Sequence, residues 1–440
     1  MLMISKKKVT KMHNKRIQLL FTMIFLLILL ILYGCSLEDN IQSVSANQDS
    51  MENNIVSEEN EQDIPKEAEL RITAVGDVMV HGPQLKAQYD EITGEYDFTN
   101  NFQYIRHYIM NADIALCNLE TTLSGEEKKY SSYPRFNSPD SIINAIMDSG
   151  FDVVVTANNH TIDLGTHGVD RTLSILKEHG LQPLGTAESE SENKFIIQEI
   201  NNIKVGMIAY TYETPKFSNK RTINALVIPS DTQNRINTFN YDELELSLNE
   251  MKDEINKMRS LGAEVVIFYM HWGNEFQRQQ NSFQEKIAYA LSEYGADIIL
   301  GSHPHVIQPI QLITSERTQK TTLVVYSMGN ILSNQRFEVL SNRYTEDGII
   351  VNITLKKNLQ NKGITFSEIS YIPTWVYKYR NNGKNVFEII PLNSDLDKDD
   401  LFSLKSEADI WRAKNSKKNT VELIESNLTQ PFDIPIVMEE

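Results

Sequence analysis

Residues 262 to 305 read GAEVVIFYMHWGNEFQRQQNSFQEKIAYALSEYGADIILGSHPH. Glu264 to Met270 is an apolar run rich in β-branched and aromatic residues, the length of a buried strand. Ser282 to Tyr294 repeats its apolar residues at helical period. Gly295 supplies the left-handed residue that ends a helix before the next apolar run, Asp297 to Leu300. Strand, helix, glycine, strand is the grammar of a β-α-β unit. Each strand here runs into a polar cluster: His271-Trp272-Gly273-Asn274-Glu275 after the first, Gly301-Ser302-His303-Pro304-His305 after the second.

The same grammar extends outward. Short apolar runs recur at Arg71 to Val75, Asp152 to Thr156, Lys204 to Tyr210 and Thr322 to Tyr326, with helical periods at Ser141 to Ser149, Val169 to His179 and Asp242 to Leu261. Gly150 and Gly262 repeat the stop signal of Gly295. The alternation predicts an α/β domain with sheets covered by helices. After Asn330 the pattern changes to strands such as Gly348 to Leu355 and Ile364 to Tyr371, followed by a more polar tail. Residues 336–440 are therefore expected as antiparallel additions to the domain formed by 70–335.

Polar residues follow the other strands too: Gly76-Asp77-Val78-Met79-Val80-His81-Gly82, Asn118-Leu119-Glu120, and Ala157-Asn158-Asn159-His160-Thr161-Ile162-Asp163. Ligands of open α/β sheets bind beyond the carboxyl ends of strands, so five clusters can share one crevice. Their side chains are an amide, carboxylates and imidazoles. That mixture suits two divalent ions such as Mn, Fe or Zn, bridged by a carboxylate and lowering the pKa of water. Taken singly, each residue has an ordinary role: Asp77 a turn or cap, Glu120 a cap, Asn158 and Asn159 turns, His160 and His271 core histidines. The pair in His303-Pro304-His305 is the most specific element, since alternate imidazoles in an extended segment point the same way.

Length and charge bound the alternatives. The chain has 440 residues with 41% hydrophobic and 23% charged, globular through most of its length, and a formal net charge of -17. That sign speaks against nucleic acid as a partner. Six basic residues, Lys6, Lys7, Lys8, Lys11, Lys15 and Arg16, precede the apolar run Ile17 to Leu32, and residues 1–34 hold no acid. This is a signal peptide pattern, and its end, Leu32-Tyr33-Gly34-Cys35, resembles a lipobox in which Cys35 is lipidated. The alternative is an uncleaved signal anchor in which Cys35 is incidental; either way the chain beyond it would lie on the extracytoplasmic face of the cell membrane, lipid-anchored in the first case. Removing the six basic residues from 42 leaves 36 against 59 acids, a net -23 for the exported part. Residues 35–69 are acidic and poor in large apolar groups, the composition of a disordered tether. Cys117, inside an apolar run, is expected as a small buried hydrophobe.

The order of motifs resembles the CapA family of capsule and poly-γ-glutamate synthesis proteins, a branch of the calcineurin-like metallophosphoesterases. The residues that carry it are Gly76-Asp77-Val78-Met79, Asn118-Leu119-Glu120, Ala157-Asn158-Asn159-His160 with Asp163-Leu164-Gly165 and Gly168, His271 to Glu275, Gly301 to Val306 with Gln308, and Tyr326-Ser327-Met328-Gly329-Asn330. The resemblance implies a four-layer α/β/β/α sandwich around a two-metal site. It places Asp77 and His305 on one metal, Asn159, His271 and His303 on the other, and Glu120 between them. His160 would be the acid, oriented by Asp163. Arg135, in the polar loop Tyr133-Pro134-Arg135-Phe136, is a candidate for a substrate carboxylate, while Asn274 and Glu275 would position His271 or contact substrate. Three departures stand out: Met79 occupies the place of a phosphoesterase histidine, with His81 the nearest substitute ligand, Glu120 replaces the bridging aspartate, and Asn158 stands where a Gly normally precedes the Asn-His pair.

Two function classes follow. One is an envelope-anchored, metal-dependent hydrolase acting on an anionic polymer, poly-γ-glutamate by the resemblance. The other is a non-catalytic accessory subunit that binds the polymer or the membrane-embedded synthase subunits.

Overall fold

The computed structural model describes residues 66–396, 402, 404–428 and 434–440. The expected signal peptide, Cys35 and nearly all of the expected tether lie outside the described residues. Among the described residues no helix is long and apolar enough to cross a membrane.

Two sheets face each other. The first runs in the order Lys384–Pro391, Ile364–Asn381, Asp347–Asn358, Glu67–Val78, Ile114–Leu119, Val153–Val155, Gln182–Leu184. Its last four strands are parallel, and the three from the C-terminal part are antiparallel. In the second sheet the strands Ile203–Tyr212, Val265–His271, Ile298–Ser302 and Thr321–Val325 are parallel, with Ile310–Thr314 and Phe195–Ile200 antiparallel at its flanks. The first strand begins at Glu67, inside the segment expected to be tether.

Period-two alternation sorts each strand between two cores. Ile72, Ala74, Val205, Met207, Val265, Ile267 and Leu300 point between the sheets. Their neighbours point outward: Val75 and Cys117 meet Ile142 and Ile146 of the helix Ser141–Asp148, while Val266, Phe268 and Ile299 meet Leu248 and Met251 of Leu244–Ser260 and Ile287 and Leu291 of Ser282–Tyr294. Because both faces are buried, these strands read as continuous apolar runs rather than alternating ones. The outcome is the four-layer α/β/β/α sandwich. The expected helix stops hold, with Gly150, Gly262 and Gly295 at φ of 94°, 95° and 105°. Cys117 is buried, and burial pushes its thiol pKa up.

Sequence reading missed the hairpin Thr214–Phe217 with Lys220–Ile223, and the helix Glu407–Asn427 in the polar tail. That helix buries only Ala413, Ser416, Thr420, Leu423 and Ile424, too sparse a stripe to stand out among its charges.

The segment Tyr326 to Asn330 crosses from one sheet to the other, and two glycines admit it. A Cβ on Gly76 would lie 1.9 Å from the carbonyl oxygen of Gly329, and one on Gly301 would lie 2.0 Å from that of Tyr326. The crossing is fixed by Asp77 N–H donating to Gly329 at 3.0 Å and Met328 N–H donating to Gly301 at 3.0 Å. Gly76→Ala is accordingly expected to destabilise the protein by about 1–3 kcal/mol or more through overpacking against backbone. Gly82→Ala, where the added carbon meets only Ser132 Cβ at 3.8 Å, serves as the control and should change little. Thermal unfolding of the two variants checks the contrast.

Candidate metal centre

Each cluster sits where its strand ends. Asp77 closes Glu67–Val78, Asn118 and Glu120 end Ile114–Leu119, His271 closes Val265–His271, and Ser302 to His305 leave Ile298–Ser302. Asp77, Glu120 and His271 are 0% exposed, and Asn159, His160, Asp163, His303 and His305 are buried with them.

Asn118 holds the centre together. Its Nδ2 donates to Asp77 Oδ1 at 2.7 Å, and stands 3.5 Å from Glu120 Oε2 and 3.4 Å from His271 Nδ1. Its Oδ1 accepts from Asn158 Nδ2 at 3.1 Å. Asn158 also donates to the Leu119 carbonyl at 2.9 Å and accepts from His160 N–H at 3.0 Å, so it ties two strand ends.

Two groups of side chains have the spacing to hold a metal ion: Asp77, Glu120 and His271, and Glu120, His303 and His305. The resemblance paired Asp77 with His305, and their contact is present too, Oδ2 to Nδ1 at 3.2 Å. The ligand atoms thus form one contiguous cluster with Glu120 common to both groups. His271 Nε2 and His305 Nε2 stand 3.8 Å and 3.7 Å from Glu120 Oε1, too far for hydrogen bonds. Separations of roughly 3–4 Å are those of atoms sharing an ion at ~2.1 Å each. Glu120 Oε1 and His303 Nδ1 are buried without a hydrogen-bond partner. Two orphaned ligand atoms inside a set of carboxylates and imidazoles fit divalent metal.

The electrostatics of the bare protein say the same. Burial first, and then the negative charge of Asp77, raise the Glu120 pKa well above its usual range. Burial, with neighbouring imidazoles, holds His271 and His303 well below theirs, leaving them neutral as metal ligands require. Burial opposes charge on His305 also, but the hydrogen bond and charge of Asp77 outweigh it and raise its pKa.

The remaining candidates fall around this core. Asn159 Oδ1 stands 3.0 Å from His271 Nε2. His160 Nδ1 meets Asp163 Oδ2 at 2.7 Å, and its ring packs edge-on against Phe136 at 4.7 Å. Asp163 Oδ2 also accepts from Phe136 N–H at 2.7 Å. Arg135 itself is exposed. His81 joins neither group; its Nδ1 accepts from Asn334 N–H at 3.3 Å, its ring meets Phe136, and burial with the nearby imidazoles of His305 and His160 drops its pKa to about 4.

Two expectations are corrected. Of the two roles expected for Asn274 and Glu275, positioning His271 falls and contact with substrate is left: both are exposed, Asn274 donates to Gln277 at 3.2 Å, the Glu275 charge acts on Glu120 and His305, and His271 Nδ1 meets Ser302 Oγ at 2.9 Å. Ser302, at the end of the neighbouring strand and paired in register with His271, does that work. The His303-Pro304-His305 segment is not extended either. His303 and His305 have φ of 95° and 57°, and backbone bends rather than strand alternation bring both rings inward. Sequence reading missed Asn118 as the organising donor, Tyr212, whose ring lies 4.7 Å from that of His303, and Asn330, whose Oδ1 meets His305 Nδ1 at 3.1 Å. Asn118 and Asn330 stood inside quoted motifs; nothing in the sequence marked Tyr212.

Known proteins resemble the chain as follows. A family profile described as bacterial capsule synthesis protein PGA_cap matches residues 71–335. A capsule biosynthesis protein CapA of Bacillus anthracis is 26% identical over 367 residues, covering 79% of this chain and 76% of that protein. The PGA biosynthesis protein CapA of Bacillus subtilis strain 168 is 26% identical over 294 residues, covering 66% and 68%. Among solved structures, the calcineurin-like phosphoesterase YfkN of Bacillus subtilis aligns with 82% of this chain and 99% of its own, at 15% identity and a TM-score of 0.39.

A raised Glu120 pKa has a definite sign in stability. The folded, metal-stripped protein keeps a proton that the unfolded chain releases above about pH 4.5, so stability falls as pH rises from there toward the folded value. Glu120→Gln removes this loss. In chelator the variant should therefore be more stable than the parent at pH 8, by on the order of 1–3 kcal/mol, the penalty of an unsatisfied buried group. The difference should shrink toward pH 4.5. Denaturant unfolding across that range measures it.

Proposed function

The chain belongs to the PGA_cap family of bacterial capsule synthesis proteins, and we propose that it serves capsule synthesis through a metal-dependent, hydrolase-like site acting on an anionic polymer. Poly-γ-glutamate is the polymer the family resemblance implies. The observation that carries the reading is the convergence of the His271 and His305 Nε2 atoms on the unpartnered, buried Oε1 of Glu120. Asp77, Glu120, Asn159, His271, His303 and His305 would hold two divalent ions, Mn, Fe or Zn. When bound, such ions polarise a carbonyl or phosphoryl oxygen and lower the pKa of water.

The chain's own residues supply the rest. Asp163 fixes His160 by its Nδ1, which leaves Nε2 as the end that can hand a proton to a leaving group. The Phe136 ring braces that imidazole and excludes water from one side. Ser302 and Asn330 set the angles of His271 and His305 through the nitrogens that face away from Glu120. The site would work on the extracytoplasmic face of the cell membrane, with Cys35 as the lipid anchor and membrane-embedded synthase subunits as neighbours.

A second reading, a non-catalytic accessory subunit that binds polymer or synthase, is favoured by one observation. Met79 is buried where the phosphoesterase pattern has histidine, and His81 is engaged with Asn334, so the first loop offers Asp77 alone.

Elemental analysis of the full chain should give two equivalents of metal, lost in Glu120→Gln and His303→Ala. Turnover is measured in parallel on γ-glutamyl polymer, cell-wall peptide and phosphate esters. His160→Ala should keep the metal while turnover falls about 10²-fold or more. Bound metal with no turnover of any substrate would leave the accessory reading standing.

A further inference from the structure

A second pocket opens behind the segment that supports His305. Asn330, which meets His305 through Oδ1, donates from Nδ2 to the carbonyl of Thr345 at 3.0 Å. The two residues after Thr345, Glu346 and Asp347, line a cavity of about 150 Å³. Its rim carries two exposed aromatic side chains, Phe337 at 47% and Trp411 at 57%. Asn415 and Asn419 line its wall, with Asn415 Nδ2 donating to the Trp411 carbonyl at 2.7 Å.

The charges lining this pocket are unequally matched. Arg336 holds Glu346 at 2.9 Å, and Glu338 holds Arg412 at 3.2 Å. Arg343 lies over the Phe337 ring at 5.3 Å, and among the described residues no carboxylate stands within ion-pair distance of it. Asp347 on the floor accepts from Ser416 Oγ at 2.6 Å, and burial holds its carboxyl up at about 8. At neutral pH the floor is therefore mostly uncharged, and the guanidinium groups of Arg343 and nearby Arg278 leave an excess of positive charge beside it. In an acidic protein this is a local inversion of sign.

We propose that this pocket is a subsite, separate from the metal centre, for one carboxylate-bearing unit of a polyamide chain. The inference rests on the polymer-handling reading above and adds to it where the polymer is held. A γ-linked glutamyl unit carries a carboxylate, an amide and two methylenes. Arg343 matches the carboxylate by paired N–H donors, the Asn419 side chain and the remaining acceptor of Asn415 match the amide, and Trp411 with Phe337 cover the methylenes. An α-linked glutamyl unit carries its carboxylate at the end of a side chain, away from the amide, and fits less well.

Two of the chain's three tryptophans, Trp375 and Trp411, line the pocket, so intrinsic fluorescence reports on it. Titration of the metal-loaded full chain with poly-γ-glutamate oligomers should give a saturable change. Arg343→Ala should weaken it about tenfold or more, the scale of a charge-assisted hydrogen bond, with Arg343→Lys between. Metal content and the far-ultraviolet spectrum should stay as in the parent. No saturable change, equal affinity in Arg343→Ala and the parent, or an equal response to polyphosphate would overturn the subsite. Glu120→Gln separates the two readings. If it keeps the fluorescence titration while the parent shows no metal-dependent turnover, the hydrolase reading fails and the pocket stands. If turnover depends on metal while Arg343→Ala binds like the parent, the pocket fails alone.

Discussion

Two carboxylates taken completely out of water set the terms for everything at the strand ends. Asp77 and Glu120 are both 0% exposed and lie in one cluster, an arrangement that is costly unless donors or cations offset it. Asn118 answers part of the cost by directing Nδ2 at Asp77. The His303 backbone answers another part, its N–H donating to Asp77 Oδ2 at 3.3 Å. His303 reaches that position at φ 95°, a conformation that costs on the order of 1–3 kcal/mol for a residue with a side chain. The backbone strain and the burial of charge are thus one feature. The loop bends against its preference because it must turn an N–H toward a buried carboxylate and a ring toward the same cleft.

The Tyr326 to Asn330 crossing does the corresponding work between the sheets. It can pass only where Gly76 and Gly301 lack side chains, and those glycines stand immediately before the polar clusters of their strands. The crossing therefore delivers Asn330 beside Asp77, with which it pairs in register, and Asn330 then fixes His305. Packing of backbone against backbone at two glycines is converted into the angle of one imidazole. The segment Tyr326 to Asn330 is thus scaffold for the centre itself.

What was legible in the sequence follows from what local pattern encodes. Both-face burial makes strands conspicuous, and Gly150, Gly262 and Gly295 mark helix ends because a positive φ is a local demand. The identity of the clustered residues was also legible, since polar groups following apolar strands are rare and must converge. Partnership was not. Whether Asn274 or Ser302 orients His271 depends on strand pairing between residues 31 apart, and the sequence neighbour was the wrong choice. The geometry of His303-Pro304-His305 was misread for the same reason: its φ angles answer to Asp77, 226 residues away, and not to strand alternation.

The acidity of the chain sharpens the question of how a polyanion approaches. With 59 acids against 42 basic residues, most of the surface repels such a partner, and screening over about 8 Å at physiological salt confines attraction to places where the local sign differs. Metal-free, the buried centre is not such a place: it holds two carboxylates and imidazoles whose pKa values burial mostly depresses. Divalent cations would reverse its sign, which couples polymer attraction to metal loading. The Arg343 pocket needs no metal to be positive. A polymer gripped there first would meet the centre at high effective concentration through its own covalent continuity, so a broadly repulsive surface and a specific polyanionic partner are compatible.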